Sequence, residues 1–171
     1  MPAERRSFYD ILAPIIYWDA TFAIAGLEER ESFHAECDAF ARRLESESVL
    51  SVTSDFVYNE LAFYKIKSAL TDEGNRTGQH WLDVKRHNPT FIATVMPDVE
   101  VKKAELERVT LKISISDTVM EQAFRLMHTY SLLPTDAFHI AIAFNSGIHS
   151  FVSLDADFLR VDDIVVYTCV P

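Results

Sequence analysis

The chain has 171 residues, 49% of them apolar and 25% charged, and a net charge of −10 at neutral pH. That length suits one domain with a substantial core, and no stretch is apolar for long enough to cross a bilayer. The acidic balance speaks against a general nucleic-acid-coating protein, which needs a basic surface.

The elements follow in chain order. Arg5 and Arg6 precede an apolar run, but Asp10 and Pro14 break it and no cleavage site follows, so a secretory signal is not expected. Residues 15–18, Ile-Ile-Tyr-Trp, read as a buried strand closed by Asp19. Residues 32–44 read as an amphipathic helix, with Phe33, Cys37, Phe40, Ala41 and Leu44 three or four apart. Residues 49–52 form a second short strand. Residues 54–70 read as a helix capped by Ser54 or Asp55 and carrying Glu60. Residues 71–78 are polar and contain two glycines, which predicts a loop. Residues 79–108 are helical in at least two pieces, cut by Pro89 and Pro97. Residues 109–116 alternate as a strand does, and Thr118 with Glu121 fits a capping box for a helix over 119–130. A strongly apolar helix over 135–145 holds Asp136 in its first turn and stops near Gly147. Two strands close the chain, at 150–154 and 164–168. The order is βαβα in character, which implies a parallel sheet between helical layers. One domain spans 1–171, with a helical insertion at about 71–108.

Four carboxylates stand at the ends of these elements: Asp19, Glu60, Asp136 and Asp155. In an open parallel sheet, strand ends converge on the carboxyl edge, where ligands bind. Acids gathered there repel: at ~4 Å and an effective dielectric of ~20, each like-charge pair costs about 4 kcal/mol. A divalent cation removes that cost, and oxygen donors suit Mg²⁺ or Mn²⁺. Asp157 could join Asp155 at the ion or cap the short helix that follows. Thr21 could orient Asp19 or touch a substrate phosphate. His139, one turn beyond Asp136, reads as a packed or hydrogen-bonding histidine. The segment from Glu60 to Lys112 has net charge +1 and the remainder −11. Its Lys65, Lys67, Arg76, Lys85 and Arg86 are therefore candidate phosphate contacts, although a solvated helix face explains such residues equally well.

Other chemistries fail on their spacing. The chain has only four glycines, Gly26, Gly74, Gly78 and Gly147, and assembles neither a P-loop nor a dinucleotide fingerprint. A phosphatase with an aspartyl nucleophile needs a second Asp where Thr21 stands. No Gly-x-Ser-x-Gly elbow exists. Cys37 and Cys169 have no metal-binding spacing, and two free thiols predict a reducing, cytoplasmic location.

Together, Ile16-Tyr17-Trp18-Asp19-Ala20-Thr21, Glu60 in its helix, Leu133-Pro134-Thr135-Asp136-Ala137-Phe138-His139-Ile140-Ala141-Ile142-Ala143 and Phe151-Val152-Ser153-Leu154-Asp155-Ala156-Asp157-Phe158 resemble the PIN-domain nucleases, especially the VapC-type toxins of toxin–antitoxin pairs. The resemblance implies a three-layer α/β/α sandwich around a central parallel sheet. It also implies a Mg²⁺- or Mn²⁺-dependent endoribonuclease built on Asp19, Glu60, Asp136 and Asp155, which cleaves RNA through a metal-activated water. An antitoxin protein and a second copy of the chain are the partners it implies. The chain departs from the family in a longer segment between Glu60 and Asp136, and in Ala20 where a small hydroxyl residue is common. A non-catalytic PIN-like scaffold that only holds a partner protein is the other reading. Four mutually repelling acids weigh against it.

Overall fold

The computed structural model describes residues 1–171. Six strands form one all-parallel sheet: β1 (Glu4–Arg6), β2 (Ile15–Trp18), β3 (Leu50–Thr53), β4 (Leu111–Lys112), β5 (Ser150–Val152) and β6 (Val165–Tyr167), in the spatial order β1-β6-β5-β2-β3-β4. Seven helices cover it: α1 (Ala20–Leu27), α2 (His34–Ser46), α3 (Asp55–Thr77), α4 (Trp81–His87), α5 (Phe91–Val109), α6 (Val119–Tyr130) and α7 (Pro134–Asn145).

The strand order explains the layering. From β2 to β3 to β4 the chain steps one way across the sheet, and from β4 to β5 it steps back. With right-handed crossovers, α1 to α5 then lie on one face and α6 with α7 on the other. The packing agrees: α1 rests on α2 and α3, α3 on α4 and α5, and α6 on α7. Strands β2, β5 and β6 carry buried apolar residues on both sides, as a twice-covered sheet requires. Ile16, Tyr17, Phe151, Val152 and Tyr167 are fully buried and join Phe22, Leu44, Leu61, Leu106, Ile140 and Ile142 in one core.

Several expectations are corrected. Residues 71–78 are not a loop, because α3 runs on to Thr77 and stops only at Gly78, whose left-handed φ of 72° breaks the helix. Its polar last turns are solvated on one side and packed against α4 on the other, and packing outweighs weak local propensity. The helix also continues through Pro97, which lies inside α5, and the break falls at Pro89 alone. Buried Val95, Val99 and Leu106 hold α5 in place despite the missing backbone donor. The strand over 109–116 shrinks to Leu111–Lys112, because it is a sheet edge with only β3 to pair with. Thr118 precedes α6 but makes no cap; its hydroxyl donates to Asn145 Oδ1 at 3.3 Å. Two elements gave no sequence signal. The charged strand β1 pairs only along β6, and α1 is too short and too uniformly apolar to show a period.

Gly74 tests the contact between α3 and the following turn. A Cβ there would meet the Gln79 carbonyl oxygen at 2.5 Å. Gly→Ala inside a helix usually gains about 1 kcal/mol, but a clash with backbone costs about 1–3 kcal/mol. Gly74→Ala is therefore expected to be net destabilising in urea unfolding. A variant that gains stability would show that the 78–81 turn yields freely.

Candidate active site

Three polar residues directly follow the last residues of neighbouring strands: Asp19 after β2, Ser54 after β3 and Ser153 after β5. All three are buried, Asp19 at 2% exposure and both serines at 0%. The strand order reverses between β2 and β5, so Asp19 and Ser153 flank the crevice where open α/β sheets bind ligands.

Asp19 is held firmly. It caps α1, and its Oδ2 accepts the Thr21 backbone N–H at 3.3 Å, the Thr21 hydroxyl at 2.5 Å and the Ser153 hydroxyl at 2.9 Å. Thr21 Oγ1 in turn accepts the Leu154 backbone N–H at 3.0 Å. The β5 end is organised by the same pattern. Ser153 Oγ accepts the Asp155 N–H at 2.9 Å, and Asp155 Oδ1 caps a short 3₁₀ turn (Ala156–Arg160) through the Asp157 N–H at 2.8 Å. Thr21 thus orients Asp19 and ties the start of α1 to the end of β5.

Asp136 sits in the first turn of α7. Burial pushes its carboxyl up to about 7, and the negative charges of Asp155, Asp19 and Asp157 add to that, against the opposing pull of His139. The fold therefore brings Asp19, Asp155 and Asp157 within electrostatic reach of Asp136. Asp157 is also committed elsewhere, in an ion pair with Arg160 at 2.9 Å.

Glu60 reaches this group through an intermediary. His139 is fully buried, and its Nε2 lies 2.5 Å from Glu60 Oε1 and 3.7 Å from Asp19 Oδ1. Its Nδ1 lies 2.9 Å from the Tyr17 hydroxyl, which is 2.7 Å from Ser54 Oγ. Burial pushes the imidazole pKa down, but the bond to Glu60 and the charges of Asp19, Glu60 and Asp136 outweigh it and leave it raised. Phe56 stacks on Phe138 at 5.0 Å beside this contact and joins α3 to α7.

No three His, Cys, Asp or Glu side chains are drawn to ligand distance of one point. The donor set still fits a divalent cation: hard oxygens, an excess of negative charge, and one carboxyl whose proton affinity is raised by burial and then by its anionic neighbours. Of the candidate phosphate contacts, Lys65 pairs with Glu28 at 3.0 Å, Arg76 with Glu73 at 2.6 Å and Arg86 with Asp83 at 3.3 Å. Lys67 lies over the Trp81 ring at 5.8 Å, and Lys85 is exposed. None of these five contacts the acidic group.

Sequence reasoning passed over Ser153, Tyr17 and Ser54. A usable signal existed for the serines, each a polar residue directly behind a strand's last buried residues, as Asp19 is. Tyr17 gave none, since an aromatic inside a strand reads as core.

The PIN domain family model matches residues 16–164. The chain belongs to the PIN domain family. Two solved structures share the fold. Mycobacterium tuberculosis VapC20, a sarcin-ricin loop cleaving toxin, superposes with a TM-score of 0.54 at 18% identity, over 84% of this chain and 92% of that one. VapBC2 from Rickettsia felis, solved bound to a DNA fragment from its promoter, gives a TM-score of 0.53 at 15% identity, over 89% of this chain and 96% of that one. No curated protein matches the chain by sequence.

Proposed function

We propose that the chain is a Mg²⁺- or Mn²⁺-dependent endoribonuclease that acts in the cytoplasm as the toxin of a toxin–antitoxin pair. The observation that carries the proposal is the set of acids gathered around half-buried Asp136 at the carboxyl edge of the sheet, with Asp19 buried beside it. A fold does not gather like charges there without a counter-charge. Membership in the PIN family and the likeness to VapC20 and VapBC2 support the same reading. The likeness to VapBC2 also supports an antitoxin protein as a partner, and a second copy of this chain is the other partner in this reading. No helix is long and apolar enough to cross a membrane.

In this reading Asp19, Asp136, Asp155 and Glu60 hold the cation. When bound, it neutralises the acidic edge, makes water more acidic and offsets charge on the phosphate. The chain's own residues do the rest. Thr21 and Ser153 donate to Asp19 Oδ2 and keep that carboxylate from turning outward. Asp155 is fixed differently: Ser153 Oγ accepts its backbone N–H, and the Asp157 N–H donates to its Oδ1. Asp136, in the first turn of α7 at the positive end of that helix dipole, would hold the cation in its ionised form. Carboxylates already fixed in place would hold the cation with little reorganisation.

The test is cleavage of single-stranded RNA by purified protein with Mn²⁺ or Mg²⁺ and with EDTA. Cleavage restricted to the metal samples, giving 5′-phosphate and 3′-hydroxyl ends, is the expected result. Metal-independent cutting overturns the proposed chemistry. Absence of both cutting and Mn²⁺ stabilisation points instead to a scaffold that holds a partner protein.

A further inference from the structure

We infer that His139 is a positioning residue for Glu60, orienting that carboxylate toward the acidic site through a buried chain from Ser54 through Tyr17 and His139. The inference rests on the metal-dependent reading above and adds a residue that the four acids do not include.

The geometry is specific. Glu60 is a half-buried side chain on a long helix, free to turn into solvent if nothing holds it. One oxygen is held, at 2.5 Å from His139 Nε2. An ionised carboxylate only accepts hydrogen bonds, so Nε2 carries a proton. The other ring nitrogen fits either charge state. In neutral His139, Nδ1 accepts from the Tyr17 hydroxyl, whose oxygen is then free to accept from Ser54. In cationic His139 both bonds reverse and remain satisfied. The Nε2–H donor to Glu60 is thus the same in both states, and Glu60 Oε2 is left without a protein partner. At 3.7 Å, Asp19 Oδ1 is too distant to take that donor.

His139 lies on α7 and its two ring nitrogens meet Tyr17 on β2 and Glu60 on α3. Tyr17 carries the chain on to Ser54 behind β3, and the His139 ring packs edge-on to Phe56 at 6.1 Å. Buried ring nitrogens need partners in any fold; what marks this histidine is that one of its two partners is a carboxylate of the acidic group.

The experiment compares His139→Leu, His139→Gln and Tyr17→Phe in the wild-type and Glu60→Gln backgrounds. Three quantities are read: kcat and KM on RNA, the Mn²⁺ concentration giving half-maximal thermal stabilisation, and the imidazole ¹⁵N spectrum of the metal-free protein. His139→Leu is expected to lower kcat and raise the Mn²⁺ midpoint by about 10–100-fold, as loss of a group orienting a ligand does, with KM nearly unchanged. His139→Gln should recover most of the loss, because its amide N–H can reach Glu60. In the Glu60→Gln background, His139→Leu should add nothing, since residues acting through one another are not additive. The spectrum should show a protonated Nε2.

Additive losses, an unchanged Mn²⁺ midpoint in a folded His139→Leu protein, or a neutral ring protonated at Nδ1 would each overturn the inference. If His139→Leu does not fold, Tyr17→Phe takes its place. It should raise the midpoint about 10-fold by removing the support behind the ring, and an unchanged midpoint would overturn the inference equally. Failure of the nuclease reading appears separately, as a wild-type protein that neither cuts RNA nor responds to Mn²⁺.

Discussion

Asp136→Asn is expected to abolish RNA cleavage while making the metal-free protein more stable at alkaline pH. Loss of one charge from the cation site should lower kcat by on the order of 10³-fold, comparable to deleting a principal electrostatic stabiliser. Stability should move the other way. The Asp136 carboxyl rises from 3.8 to about 7, because burial and three neighbouring aspartates disfavour its charged form. A group with a raised folded-state pKa contributes stability that is complete below 3.8 and lost as pH climbs through about 7. At pH 8 the ionised residue therefore strains the fold. Since it is half-buried, solvent screening reduces the penalty to about 1–2 kcal/mol. Asn has the same shape and no charge. Its melting temperature in EDTA at pH 8 should exceed the wild type's by roughly 2–6 °C, with the gap closing near pH 4. His139, also raised, loses stability with rising pH in both proteins; the Asn variant lacks the Asp136 charge that helps raise it, which narrows the gap and does not create it. Saturating Mn²⁺ should erase the difference by stabilising the wild type more. An Asn variant that melts lower at pH 8, or that still cuts RNA, would remove Asp136 from the site.

Asp19→Ala should lose activity to a similar degree and, unlike Asp136→Asn, lose stability as well. Two effects oppose each other. Removing the carboxylate relieves repulsion on Asp136, for about 1 kcal/mol. It also strips α1 of its cap, for about 1 kcal/mol, and leaves the Thr21 and Ser153 hydroxyls without their acceptor, for about 1–3 kcal/mol. The losses win because Asp19 and Ser153 are both buried, so the Ser153 hydroxyl loses its acceptor inside the protein. Net destabilisation of about 1–3 kcal/mol in urea unfolding is expected. Asp19→Asn keeps an acceptor oxygen for the cap and should recover most of the stability but none of the cleavage. Equal stability of the Ala and wild-type proteins would mean that the bonds around Oδ2 hold nothing together.

The two aspartates differ in legibility. Asp19 follows an apolar strand, and its place at a sheet edge could be read from Ile16-Tyr17-Trp18 alone. Asp136 opens an apolar helix, where an acid has a purely local explanation in the helix dipole. Only the meeting of α7 with the ends of β2 and β5 shows that other acids surround it. Glu60 was the least legible on pattern, since it flanks the apolar stripe of α3 where solvated residues usually stand. Its partner, His139, is 79 residues further on. The reading of 71–78 as a loop failed for a related reason: Gly74 and Gly78 look alike in sequence, but only Gly78 takes a positive φ, while Gly74 makes room for the backbone of the next turn. Lys65 shows the converse. A basic residue in the segment with net positive charge suggested phosphate, and the fold pairs it with Glu28.

The sequence by itself determined the alternation of buried strands and helices, and with it a parallel sheet carrying polar residues at its strand ends. Local periodicity records which face of each element is buried, and that is a property of neighbours in the chain. The tertiary structure alone decided that β2 lies against β5, so that Ser153 bonds Asp19 across 134 residues, and that His139 spends its donor on Glu60. Strand order and the partner of a long side chain depend on how distant elements pack, and no repeat within a short segment encodes them.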